Sequence, residues 1–238
     1  MIAYEVEPRV FEMFPAFRRG VVVATGIDNR GSNSGMARLL SEAIAQVGPV
    51  PSAAEEERIA AWNAAYKKFG ADPKRYTPSI QFLYEQIRRG KPPRSINPVV
   101  DAMNLTSIRW MLPCGGDDLD SVDGGDLRLG LATGEETFAP LFKPLAVEHP
   151  NRGEVIYYTP QTKRVLCRRW TWRNADFSKL TPETHSVAIN VDAMIPPFTE
   201  AGLAEAMSSL VSLLQPICAG ATKTHILSPL RMRIEIEI

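Results

Sequence analysis

The chain has little of what builds a disulfide scaffold or a metal centre. Its 238 residues include three cysteines, Cys114, Cys167 and Cys218, far apart and without a CxxC pair. That odd, dispersed set argues against a disulfide framework and for a reducing compartment. His149, His185 and His225 are scattered, none with a partner at metal-ligand spacing, so no metal is expected. Excess charge is missing too: 27 Lys and Arg balance 27 Asp and Glu. No overall field attracts a polyanion, and any nucleic-acid contact needs a local patch. No apolar run approaches the roughly 20 residues of a membrane span. The start, Met1-Ile-Ala-Tyr-Glu-Val-Glu7, lacks the basic residues and apolar core of a signal peptide. A cytoplasmic protein without membrane contact is expected.

Familiar catalytic signatures are also absent. There is no G-x-S-x-G, and no serine or cysteine adjoins a histidine with an obvious orienting group. Gly26-Ile-Asp-Asn-Arg-Gly-Ser-Asn33 follows an apolar run, as a phosphate cradle does, but no Gly-Lys-Ser/Thr follows it. Ser32 or Asn33 is expected to cap a helix instead, and no cofactor is expected. Asp117, Asp118, Asp120 and Asp123 lack the EF-hand spacing and its terminal glutamate, and read as a solvated acidic turn. Cys114 reads as a small apolar loop residue rather than a reactive thiol.

What is present is an ordinary globular composition, 45% hydrophobic and 23% charged. Gly20–Ala24 predicts a buried strand, and helices are expected over Ser34–Val47, Ala53–Phe69 and Ser79–Arg89, the last two stopped by Gly70 and Gly90. From Asp126 the period becomes two: Leu127, Leu129 and Leu131 alternate with Arg128 and Gly130. Val155–Thr159 and Arg164–Trp172 predict a hairpin, Ser186–Asp192 a strand, and Glu200–Leu214 an amphipathic helix. In the tail, Met232, Ile234, Ile236 and Ile238 alternate with charged residues, as a final antiparallel or edge strand does. The order predicts an α+β fold in one domain over residues 1–238: helix-rich to 93, sheet-rich over 94–195, then a helix and a strand.

Two stretches carry the functional signal. Asn97-Pro-Val-Val-Asp101-Ala-Met-Asn104 is a capped helix with Pro98 at its first position. Leu112-Pro-Cys-Gly-Gly-Asp-Asp-Leu-Asp120 then brings bare backbone at Gly115 and Gly116 into a bend, a candidate pocket floor. A basic hairpin follows: Lys163, Arg164, Arg168, Arg169 and Arg173 against Glu154, with Trp170 and Trp172 interleaved. Arginines grip phosphates and tryptophans stack on bases or cover a pocket; alternatively, this is a twisted hairpin with its tryptophans in the core.

These stretches, with Leu119-Asp-Ser-Val-Asp-Gly-Gly-Asp-Leu-Arg128 and Gly134-Glu135, resemble the B3/B4 domain of the bacterial phenylalanyl-tRNA synthetase beta subunit, and more closely the freestanding B3/B4-domain proteins. The similarity is tight over Ser95–Leu141, looser over Val21–Gly90 and Glu154–Met194, and absent from the tail. It implies a B3/B4-like fold of mostly antiparallel sheets packed with helices. In the synthetase this domain hydrolyses tyrosine wrongly esterified to tRNA, using a positioned water more than a protein nucleophile. The resemblance therefore implies a trans-acting aminoacyl-tRNA deacylase, with tRNA or aminoacyl-tRNA as partner and an amino-acid-like ligand. The expected pocket is Asn104, Cys114, Gly115, Gly116, Asp118, Trp170 and Asn190, and the basic hairpin supplies the expected tRNA contacts, Arg168, Arg169 and Arg173. Gly115 stands where the synthetase has a histidine, and Asn190 where it has the glutamate that reads the tyrosine hydroxyl, so tyrosine specificity does not carry over. A non-catalytic module binding tRNA or an amino acid, and an enzyme with an enclosed pocket unrelated to RNA, are the competing readings.

Overall fold

Helix termini in this chain follow local chemistry. In the computed structural model, which describes residues 1–122 and 125–237, the Asn33, Ser52, Asn97 and Thr199 side chains each accept a backbone N–H of the first turn that follows. Asp123, Gly124 and Ile238 lie outside the described residues. The N-terminal segment holds β1 (Ile2–Val6), α1 (Pro8–Met13) and β2 (Phe17–Thr25). Four helices follow: α2 (Ser34–Ala45), α3 (Ala53–Lys68), α4 (Ser79–Arg88) and α5 (Pro98–Trp110). Then come β3 (Cys114–Asp118), β4 (Leu127–Leu131), β5 (Val155–Thr159), β6 (Arg164–Arg168), β7 (Arg173–Asn174) and β8 (Ser186–Met194). The chain closes with α6 (Glu200–Leu214), β9 (Thr222–Leu227) and β10 (Arg233–Ile236).

The strands form two sheets, in the orders β10-β1-β4-β5-β6-β7 and β3-β8-β2-β9. Every pairing is antiparallel except β1 with β4. This is an α+β fold. The period of two splits the four-stranded sheet cleanly. Val22, Ala24, Val187, Ile189 and Val191 face the helices, packing with Leu40, Val99, Leu105, Leu203 and Leu210. Phe17, Val21, Val23 and Ala188 face the other way, into a core shared with Tyr4, Leu127, Tyr157 and Trp170 of the second sheet's layer.

Several sequence expectations change here. The Gly115-Gly116 bend is a strand, β3, at the edge of the four-stranded sheet. Helix α5 ends at Trp110, closed by Met111 in a left-handed conformation (φ 53°). The expected second arm of the hairpin stops at Arg168, because Arg169 and Trp170 both adopt positive φ (49° and 65°) and turn the chain inward. Strands β1 and β2 precede helices α2 to α5 yet pair inside the two sheets, so helical and sheet residues are not segregated along the chain. The tail strand is as expected, an edge partner of β1 through Ile234 and Ile236.

Candidate functional site

Strand β3 positions the site through its alternation. Gly115 pairs with Asn190 of β8, which pairs in turn with Val21 of β2; Asp192 pairs with Arg19. Residues in register point to the same face, so Gly115, Asp117, Asn190, Asp192 and Arg19 all look toward the second sheet. A cavity of about 300 Å³ lies there, walled on the far side by Tyr157, Cys167, Trp170 and Arg173. A Cβ added at Gly115 would meet nothing within 4 Å, so this position opens onto the cavity. Gly116 is bare for a different reason: its Cβ would come within 2.7 Å of Met103 Sδ on α5.

The cavity wall contains a buried polar network. Arg19 donates through Nε and Nη2 to the two oxygens of Asp192, each at 2.7 Å. Trp170 Nε1 donates to Asp192 Oδ2 at 3.1 Å. The Tyr4 hydroxyl donates to Asn190 Oδ1. The Arg19 guanidinium lies 5.1 Å over the Tyr157 ring, a cation–π arrangement. Asp117 Oδ1 accepts from Ser178 Oγ at 2.7 Å. Burial pushes the Asp117 carboxyl up to about 7, against the Ser178 hydrogen bond and the Arg19 charge, which pull it down. Burial likewise pushes the Cys114 thiol up, with the Asp192 charge adding to the effect. A thiol held protonated is a poor nucleophile.

A second hollow, a groove of about 640 Å³, shares Ser79, Cys114, Trp172 and Arg173 with the cavity. Arg75, Phe82 and Asn104 line the groove alone. Phe82 is 54% exposed, and Arg173 lies 4.3 Å over the Trp172 ring. The expected site residues therefore divide. Cys114, Gly115, Gly116, Trp170 and Asn190 line the cavity, while Asn104 stands on the helix side of β3 and lines only the groove. Asp118 is a correction. One residue out of phase with Asp117, it is buried away from the cavity, accepting from Thr184 Oγ1 and Asp120 N–H at 2.8 Å each.

Two of the three expected tRNA contacts are corrections as well. Arg168 is buried and paired with Glu148 and Glu154 at 2.6 and 2.8 Å. Arg169 is buried under Tyr76 and Trp172, 3.4 Å from Glu154. Neither guanidinium faces solvent: buried Glu154 lies beside both, and half-exposed Glu148 takes Arg168 from the outer side. Arg173, 45% exposed, faces outward at the rim. The acidic stretch also differs from a solvated turn: Asp117 and Asp118 are buried, and Asp120 accepts the His185 and Ser186 N–H groups. Asp123, the fourth acid of that reading, lies outside the described residues. Among the described residues, no three His, Cys, Asp or Glu side chains gather as a metal site, and no helix is long and apolar enough to cross a membrane.

Sequence reading missed Arg19, Asp117, Tyr157 and Asp192 as cavity residues, and Tyr4 as the partner of Asn190. The available signal was phase. Arg19 shares the parity of Val21 and Val23 in an apolar strand, and Asp192 interrupts the apolar run of β8. Opposite charges in two buried strands imply a pair.

A family profile described as the B3/4 domain matches residues 61–219. No curated protein matches the chain. Among solved structures, it is similar to an N-terminal fragment of the phenylalanyl-tRNA synthetase beta-subunit from Pyrococcus horikoshii, at 12% identity and a TM-score of 0.46. That similarity covers 93% of this chain and 49% of the other, so this chain spans about half the length of that structure. Because the profile takes in more than half of its residues, the chain belongs to the B3/4-domain family.

Proposed function

We propose that the protein is a trans-acting aminoacyl-tRNA deacylase, clearing a mischarged amino acid with water as the nucleophile. The observation that carries this reading is the pair of joined hollows: a buried cavity opened by Gly115, and a groove edged by Arg75, Arg173, Trp172 and Phe82. The cavity suits the acyl group. The groove suits the terminal nucleotide, with aromatic faces for the base and guanidinium groups for phosphate. Water adds to the ester carbonyl, the bond to the ribose oxygen breaks, and that oxygen takes the proton.

Backbone donors fit this chemistry. Asp118 N–H points off the free edge of β3, to Ser178 O at 2.9 Å. By the strand's period of two, Gly116 N–H leaves the same edge, and Gly116 lines the cavity. A backbone donor at a developing oxyanion is worth about 3 kcal/mol. A panel of mischarged tRNAs tests the reading: wild-type protein releases the amino acid from at least one member, and release from none defeats it. The second reading, a module that binds without turnover, is favoured by one observation. The cavity holds no nucleophile paired with a base among the described residues.

Asn190 tunes which acyl group is accepted, since its carbonyl is committed to Tyr4 and its amide N–H groups remain to donate. Asn190→Glu shifts the ratio of deacylation rates toward hydroxyl-bearing aromatic amino acids. Asn190→Ala weakens discrimination more than rate, and also removes the acceptor of the Tyr4 hydroxyl, at a cost of about 1–3 kcal/mol. Equal ratios in all three proteins would place Asn190 outside the recognition surface.

Phosphate contacts are assigned to Arg75 and Arg173. Replacing both with glutamine lowers the magnitude of the log–log salt slope of tRNA binding by about 1.5, given two lost counterion-releasing contacts. An unchanged slope would move the RNA path elsewhere.

A further inference from the structure

The cavity is walled by four charged side chains: Arg19, Asp117, Arg173 and Asp192. Arg19 and Asp192 neutralise each other in a bidentate pair. Arg173 stands at the rim. Asp117 remains, 5% exposed, with no cation paired to it among the described residues. Its Oδ1 is occupied by Ser178, and its Oδ2 has no donor among the described residues. On the facing sheet Tyr157 is 1% exposed, and its hydroxyl has no hydrogen-bond partner among the described residues. A carboxylate oxygen without a protein donor and a buried phenol oxygen without a partner, both on residues that line one cavity, call for a donor from outside the protein.

We propose that Asp117 receives the α-ammonium group of the aminoacyl ligand, with the Tyr157 hydroxyl as a second polar contact, so that the cavity takes free α-amino acyl groups and rejects N-acylated ones. This rests on the aminoacyl-ester reading above and names its substrate class. The charge layout supports it independently of catalysis. One acid without an ion pair lies in the cavity wall and Arg173 lies at the rim, an arrangement that admits an aminoacyl nucleotide with its ammonium inward and its phosphate outward. Asn190 offers its N–H groups, and the Arg19 guanidinium is held by Asp192, so neither competes for a cation. The raised Asp117 carboxyl fits a group that lacks its cation, because ionising a buried acid without a partner is costly. A bound ammonium restores the carboxylate. N-acylation removes that charge, and a bulky amide then meets a desolvated acid.

The test uses hydrolysis-resistant 3′-aminoacylamino-3′-deoxyadenosines carrying alanyl, leucyl, phenylalanyl or tyrosyl groups, each with a free or an N-acetylated amine. Binding to the full chain is measured by calorimetry. The wild-type protein is expected to bind at least one free-amine probe about tenfold or more tightly than its acetylated twin, the scale of a charge-assisted hydrogen bond. Asp117→Asn keeps the shape and the Ser178 contact, and is expected to abolish that difference. Equal affinity for both forms in the wild type, a preference that survives in Asp117→Asn, or binding of no probe overturns the proposal. The first of these comparisons needs no variant, so loss of fold on substitution does not blunt the test. Deacylation of mischarged tRNA is followed in parallel. Ammonium preference without hydrolysis overturns the deacylase reading alone, and hydrolysis without ammonium preference overturns this inference alone.

Discussion

Asp192→Ala lowers the unfolding free energy by about 3–5 kcal/mol, the cost of leaving a buried charge without its partner. Asp192 accepts both Arg19 bonds and the Trp170 indole N–H, and all three residues are essentially without solvent contact. Both side chains are buried in the cavity wall, so the Arg19 guanidinium left without its acceptor carries most of a desolvation penalty. Replacing both members of the pair, Arg19→Met with Asp192→Leu, recovers most of the loss, because neither charge then needs a partner. Urea unfolding of the two variants beside the wild type measures this. A loss below about 1 kcal/mol for the single variant would mean that water or another acid reaches Arg19, as at an exposed pair.

Gly115→Val abolishes ligand binding while the unfolding free energy stays within about 0.5 kcal/mol of the wild type. Gly115 is an interior residue of an edge strand with ordinary φ, and valine is at ease in that conformation. Its branched side chain projects into open space that is the cavity itself. Gly116→Ala is the contrasting control. A single methyl there meets Met103 Sδ at 2.7 Å and Ile189 Cγ1 at 3.2 Å, so the variant melts lower without closing the cavity. Thermal melts and probe binding on the two proteins separate the effects. Retained binding in Gly115→Val would remove Gly115 from the site.

Much of the fold is legible where one element carries its own signals. Helix α6 spans Glu200–Leu214 as its amphipathic pattern implies, and the Asn97 cap and the β5–β6 pairing follow from capping and turn chemistry. Strand β3 is not legible in this way. Pro-Cys-Gly-Gly carries the composition of a turn, and its glycines are demanded by what approaches from each side, Met103 on one face and the cavity on the other. The cavity network is hidden for a related reason. Arg19 and Asp192 lie 173 positions apart, and only the antiparallel register of β2 on β8 brings them together. Arg168 and Arg169 mislead for the opposite reason: a run of basic residues reads as surface, while Glu148 and Glu154, which bury it, lie 14 to 20 positions upstream. The resemblance singles out Gly115 and Asn190, both of which line the cavity, whereas Asp117 emerges as a cavity residue only when strand parity separates it from Asp118.

The inward corner at Arg169 and Trp170 has an optical consequence. Trp170 is 1% exposed, lies edge-on to Trp62 at 5.3 Å, and shares a hydrogen bond with the cavity's back wall. Trp172, two residues on, lines both the cavity and the groove from a half-buried position. Two of the four indoles in the chain thus border the space a ligand would fill. Displacing water from that space changes the polarity around each by a different amount, shielding Trp172 from a solution quencher while Trp170 is already beyond its reach. Intrinsic fluorescence therefore reports occupancy directly, and it distinguishes a ligand held in the cavity from one resting only in the groove.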